Sequence, residues 1–139
     1  MNVETRTVSS LEKVFCSPNC GAERLSGISA LKGERVSFQV AVKASEPATL
    51  SVRADKGTFG CELIVREVVN IPSLLPARQE DDYVLKKEAG LFPDALQPVT
   101  GEIAISPGNW HALWVTAVIP ESHPAGSFTV RLQIGRAHV

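Results

Sequence analysis

The chain has 139 residues, the length of one domain, with 14 Lys and Arg against 15 Asp and Glu and a net charge of -1. That balance lacks the electrostatic footprint of a nucleic-acid binder, and 44% apolar residues exclude a disordered chain. No apolar run approaches the roughly 20 residues that span a bilayer, which excludes a helical membrane protein.

Residues 3–8 alternate in β-prone fashion from the outset. No basic segment followed by an apolar run precedes them, so no secretory signal is read and a cytoplasmic location is expected, provided Met1 is the true start. Cys16 and Cys20 have metal-like spacing, but a zinc site needs four ligands, or three plus water. Only Cys61, His111 and His123 could add to them outside the terminal segment, so the motif stands unsupported and free thiols are expected. A Cys16–Cys20 disulfide does not suit a reducing cytoplasm. No metal site and no cofactor site is assigned.

A short strand is expected at 27–31. The clearest strand is 35–43, with Val36, Phe38, Val40 and Val42 on a packed face and Arg35, Ser37, Gln39 and Lys43 on a wet one. Glu46 and Pro47 break it, 49–54 alternates again, and the two runs read as a hairpin-like pair. Asp55, Lys56 and Gly57 are turn chemistry. The third run, 62–71, keeps Leu63, Val65, Val69 and Ile71 in phase. Glu67 falls in the same phase, which calls for a bulge or a sheet edge.

Residues 72–98 read as one long irregular loop, with Pro72, Pro76, Pro93, Pro98 and Gly90. Loops of that length are functional or lie against another surface. Glu80, Asp81, Asp82 and Asp94 make it acidic without the spaced oxygen ligands of a calcium loop, so a solvated loop is the reading. A short strand at 102–105 is stopped by Pro107 and Gly108. Residues 112–119 are apolar on both faces (Leu113, Val115, Ala117 and Ile119 against Trp114 and Val118), as a central strand covered on both sides would be. A turn at 121–126 leads to a strand at 127–133 with Phe128, Val130 and Leu132 inward.

About eight short strands with no sustained helical period define the fold class. It is all-β, an antiparallel sandwich of two sheets, Ig-like or jelly-roll-like. No Gly-x-Ser-x-Gly elbow and no phosphate-cradling Gly-rich loop occurs. Tyr83 and Trp110 are the candidate glycan contacts, since Trp110 sits at a turn beside Asn109, whereas Trp114 is expected in the core.

The six residues 134–139 are what the sequencing adapter ATC GGA AGA GCA CAC GTC encodes in this frame, and the next adapter codon is a stop. Residues 134–139 are therefore expected to be adapter read-through, residues 1–133 the native domain, and anything downstream lost.

Several segments carry a family resemblance: 8–15, 31–42 with its Lys32-Gly33-Glu34 and Phe38-Gln39, 90–96, 110–120, and Pro124-Ala125-Gly126-Ser127-Phe128. Together they resemble the N-terminal β-sandwich domain of glycoside hydrolase family 123-like proteins, over nearly the whole chain to Leu132. The resemblance implies that a (β/α)8 barrel follows, which removes terminal β-linked N-acetylgalactosamine with the help of an Asp-Glu pair. No Asp-Glu dipeptide occurs in this chain, so no catalytic residue is carried over and the chain is expected to be the non-catalytic half. Its partner is then the barrel of the same polypeptide, and Leu91, Phe92, Pro93 and Leu96 are the candidate residues for that interface, as an apolar cluster in the irregular segment. Two other readings stand beside this one: an independent carbohydrate-binding module using Tyr83 and Trp110, and an adhesion-type sandwich that binds protein.

Overall fold

A computed structural model describes residues 1–74 and 88–136 of the chain. They form β1 (Val3–Ser9), β2 (Arg35–Ala44), β3 (Ala48–Asp55), β4 (Glu62–Ser73), β5 (Gly90–Pro98), β6 (Glu102–Ile105), β7 (His111–Val118) and β8 (Arg131–Arg136), with no helix among the described residues. One antiparallel sheet has the order β1-β2-β7-β4-β5 and the other the order β6-β3-β8. The two-sheet antiparallel sandwich expected from the sequence is the observed fold.

The doubly apolar run at 112–119 becomes β7, the middle strand of the larger sheet. Its register places Val115 between Phe38 of β2 and Val65 of β4, so one row of side chains crosses the sheet. On the inner face, Val42, Ala44 and Leu113 meet Leu50, Ile103 and Ile105 of the smaller sheet, all almost fully buried. This layer is the main core, built from the odd-even alternation of pleated strands.

The outer face of the larger sheet departs from the sequence reading. It is not wet: the segment 10–25 lies over it, and Val8, Val14, Ala22, Ala41, Trp110 and Ala112 form a second core there. The polar side chains that alternate with the inner row hold this cover by its backbone. Gln39 Nε2 donates to the carbonyls of Ser9 (3.0 Å) and Glu12 (2.6 Å). Arg6 donates to those of Cys20 (3.3 Å) and Ala22 (2.9 Å), and Lys43 to that of Pro18 (3.1 Å).

Four further expectations are corrected. Residues 35–43 and 49–54 do not form a hairpin, because β2 and β3 belong to opposite sheets. The corner at Ser45–Glu46–Pro47 carries the chain across, pinned where the Ser45 N–H donates to Asn2 O (3.0 Å) and Asn2 N–H to Ser45 Oγ (2.9 Å). No strand forms at 27–31; Glu34 Oε2 instead accepts the Leu31 N–H (2.7 Å), which turns the chain before β2. The loop expected across 72–98 contains a strand, β5, because an edge strand tolerates Pro93 and Pro98 where a central one would not. Likewise β4 runs through Pro72 to Ser73, beyond its last contact with β7 at Glu67. The register between β4 and β5 shifts at Val69/Asn70, the kind of bulge that the phase of Glu67 called for. Glu67 itself stands opposite Gln97 and accepts its Nε2 at 2.8 Å.

Finally, the last strand is β8, Arg131–Arg136, rather than 127–133. Thr129 is drawn to the 57–59 turn, where its carbonyl accepts the Thr58 N–H (3.1 Å) and its N–H donates to Thr58 Oγ1 (2.8 Å). Phe128 is consequently exposed on one side and stacks edge-on against His123 at 4.6 Å. Residues 134–136 pair with β3, Ile134 opposite Val52.

The close approach at Thr129 needs Gly57, whose φ is 53° and where a Cβ would fall 2.2 Å from Thr129 O. Gly57→Ala is therefore expected to destabilise the fold by ~1–3 kcal/mol or more. Leu113→Ala, which empties the centre of the inner layer, is expected to cost ~2–5 kcal/mol. Midpoints of urea unfolding measure both.

Candidate domain interface

The four residues singled out for an interface all lie on β5, an edge strand that among the described residues pairs only with β4. They do not share one environment. Leu91 and Leu96 are 43% and 45% exposed. Pro93 is buried at the bulge, and Phe92 is half-buried in an edge-to-face contact with Phe15, 6.3 Å between ring centroids. Phe92 meets Phe15 of the 10–25 cover and Pro93 is enclosed where the β4–β5 register shifts, while the two leucines remain outward.

A third apolar side chain joins this surface from a segment the sequence reading passed over. Leu11 is 93% exposed and, with Leu96, lines a groove of about 240 Å3 between the 10–14 turn and β5. An apolar residue inside the polar turn Ser9-Ser10-Leu11-Glu12 was the available sign. Lys13 forms an ion pair with Asp94 across the same groove. Its inner lining is Val14, Gln39, Val68 and Trp114. Trp114 is thus half-buried, packed against the second core and lining the groove with its remaining surface.

The proposed glycan contacts fare differently. Trp110 is 95% enclosed, so its expected exposure is corrected. It sits just before β7 beneath the cover segment, its backbone N–H donating to Ser17 O at 2.9 Å. The cations of Arg6 and Lys43 lie 5.6 and 5.9 Å from its ring centroid, which makes it a clamp for the cover rather than a platform for a sugar. Tyr83, with Glu80, Asp81 and Asp82, lies outside the described residues.

Cys16, Cys20 and Cys61 are free thiols. Among the described residues no three His, Cys, Asp or Glu side chains gather as metal ligands. The histidines are bonded locally. His123 sets its two ring nitrogens against Pro124 O (2.9 Å) and Phe59 O (3.3 Å). His111 Nε2 accepts the Ser106 N–H at 3.2 Å and lies 2.9 Å from Ser106 Oγ.

A second cavity, about 150 Å3, lies between the sheets and is lined by Thr5, Thr7, Phe38, Leu63, Leu132 and Ile134, among others. The three-stranded sheet is too narrow to close over the whole inner face of the five-stranded one.

No family model and no curated protein sequence matches the chain. Its fold is similar to part of a solved structure, a family 123 glycoside hydrolase from Clostridium perfringens, with a TM-score of 0.68 over 98% of this chain at 12% identity. The chain spans 25% of the length of that protein. At this identity the likeness establishes an architecture: an all-β sandwich that resembles one domain of a larger glycoside hydrolase.

Burial lowers the pKa of His111 below its ordinary 6.5, against the pull of the nearby Glu67 carboxylate. The unfolded chain therefore binds this proton more readily than the folded one. The resulting stability is present above pH 6.5 and is lost as the pH falls from there towards the folded-state value. His111→Gln is expected to flatten that acid-side decline, as read from unfolding midpoints across the pH range.

Proposed function

We propose that this chain is a non-catalytic accessory domain of a glycoside hydrolase, of the β-N-acetylgalactosaminidase-like type, that braces a separate catalytic (β/α)8 domain. The observation that carries this reading is the likeness of nearly the whole chain to a quarter of a family 123 glycoside hydrolase. The exposed Leu91 and Leu96 of β5, with Leu11 beside Leu96, support it, since apolar side chains left exposed on an edge strand are the kind of surface that a second domain covers.

Two measurements test the reading. Assayed by itself on a chromogenic N-acetyl-β-galactosaminide, the chain is expected to release no chromophore; sustained turnover would overturn the accessory role. In the parent enzyme, recovered with its downstream reading frame, Leu91→Asp with Leu96→Asp is expected to lower the melting temperature and speed proteolysis at 90–96. Cleavage there at the same rate in the unaltered parent and in this chain alone would argue against docking through β5.

A further inference from the structure

The groove between the 10–14 turn and β5 combines features that a docking surface does not need. Apolar side chains make up only part of its lining. Trp114 and Val68 contribute apolar surface, while Gln39, the Lys13–Asp94 ion pair and Glu12, one oxygen of which accepts the Glu23 N–H (3.0 Å), bring amide, ammonium and carboxylate groups to the same space. Gln39 is 97% enclosed, and both hydrogen bonds found for its side chain leave from Nε2. Its Oε1 has no hydrogen-bond partner among the described residues, yet it is not sealed off as a buried orphan. The amide orientation is fixed by the two carbonyls that Nε2 serves, so the acceptor is held in place for a guest.

The size of the groove narrows the guest. About 240 Å3 falls just below the ~300–1,000 Å3 typical of drug-sized pockets. A partly apolar lining with fixed acceptors and one cationic donor suits a small ring that has apolar carbon–hydrogen surface and several hydroxyls. Hydroxyl groups both donate and accept, so they can answer Gln39 Oε1, the carboxylates and Lys13 together. A phosphate or carboxylate ligand would meet Glu12 and Asp94 as like charges.

We propose that this groove is a monosaccharide-sized binding site for a pyranose, in which Trp114 supplies the apolar surface and Gln39, Glu12, Lys13 and Asp94 bond the hydroxyl groups. It does not depend on the chain being an accessory domain. Its lip, Leu11 and Leu96, is shared with the proposed domain contact, and small-molecule sites concentrate where domains meet.

An NMR titration of the 139-residue chain with D-glucose, D-galactose and N-acetylglucosamine, up to about 100 mM each, tests this at the weak affinity expected of an open site. For at least one sugar, saturable shifts are expected at the Trp114 indole N–H and the Gln39 side-chain amide, with the clamped Trp110 indole unmoved. Trp114→Phe is expected to weaken that binding by up to about tenfold. Should that variant fold poorly, Asp94→Ala, at an exposed position, is expected to weaken binding in a well-folded chain. The absence of saturable shifts with all three sugars, shifts centred on Trp110, or unchanged affinity in Asp94→Ala would overturn the site. Because the titration uses this chain alone, its failure leaves the domain contact at Leu91 and Leu96 to be judged by its own proteolysis test.

Discussion

The architecture depends on β7 being apolar on both faces. A strand with Leu113, Val115 and Ala117 on one side and Ala112, Trp114 and Val118 on the other cannot lie on a sheet with one solvated face. It has to be central, and both sides of the sheet around it must be covered. The inner side receives the three-stranded sheet, through Leu50, Ile103 and Ile105. Among the described residues no third sheet lies on the outer side, and the segment 10–25, without secondary structure of its own, takes that place. Such a cover has backbone groups that no ladder satisfies, so the alternating polar side chains of β1 and β2 must supply their partners. Arg6, Gln39 and Lys43 do so by donating to carbonyls of the cover.

The same arrangement generates the surfaces of interest. The cover reaches β5 through Phe15 and Lys13, and between its 10–14 turn and that strand it leaves the groove at Lys13 and Asp94. At that boundary the sheet ends on an edge strand interrupted by a bulge and two prolines, which limits continued pairing by another strand. Apolar side chains therefore project there beside polar ones, without a continuous ladder. A surface of this kind suits side-chain contact with a second domain or a small polar ligand better than strand addition.

Trp110 and Trp114 illustrate how four residues of chain separate two roles. Trp110 sits just before the strand beneath the cover and is flanked by two cations, so its indole is spent on holding the cover down. Trp114, two pleat periods further along the same face, lines the groove beside the 10–14 turn instead. Their surroundings differ because different parts of the cover, distant in the chain, lie against each, which neither residue's immediate neighbours encode.

The strands at 35–43, 62–71 and 112–119, the central place of the last of these and the two-sheet class were legible from alternation alone, because alternation is a local property of a pleated chain. Of the interface residues, Leu91 and Leu96 were legible as apolar side chains in an unsettled segment, while the burial of Phe92 and Pro93 was not. Prolines disguised β5 as a loop, since only the tertiary structure reveals that it occupies an edge where a missing N–H is tolerated. The crossing of β2 to β3, the covered outer face, the enclosure of Trp110 and the exposure of Leu11 were likewise decided by contacts between residues far apart in the chain. Sequence patterning specifies which faces must leave water; which distant segment covers each face is settled only when the whole chain packs, because that choice depends on competing long-range contacts that no short window contains.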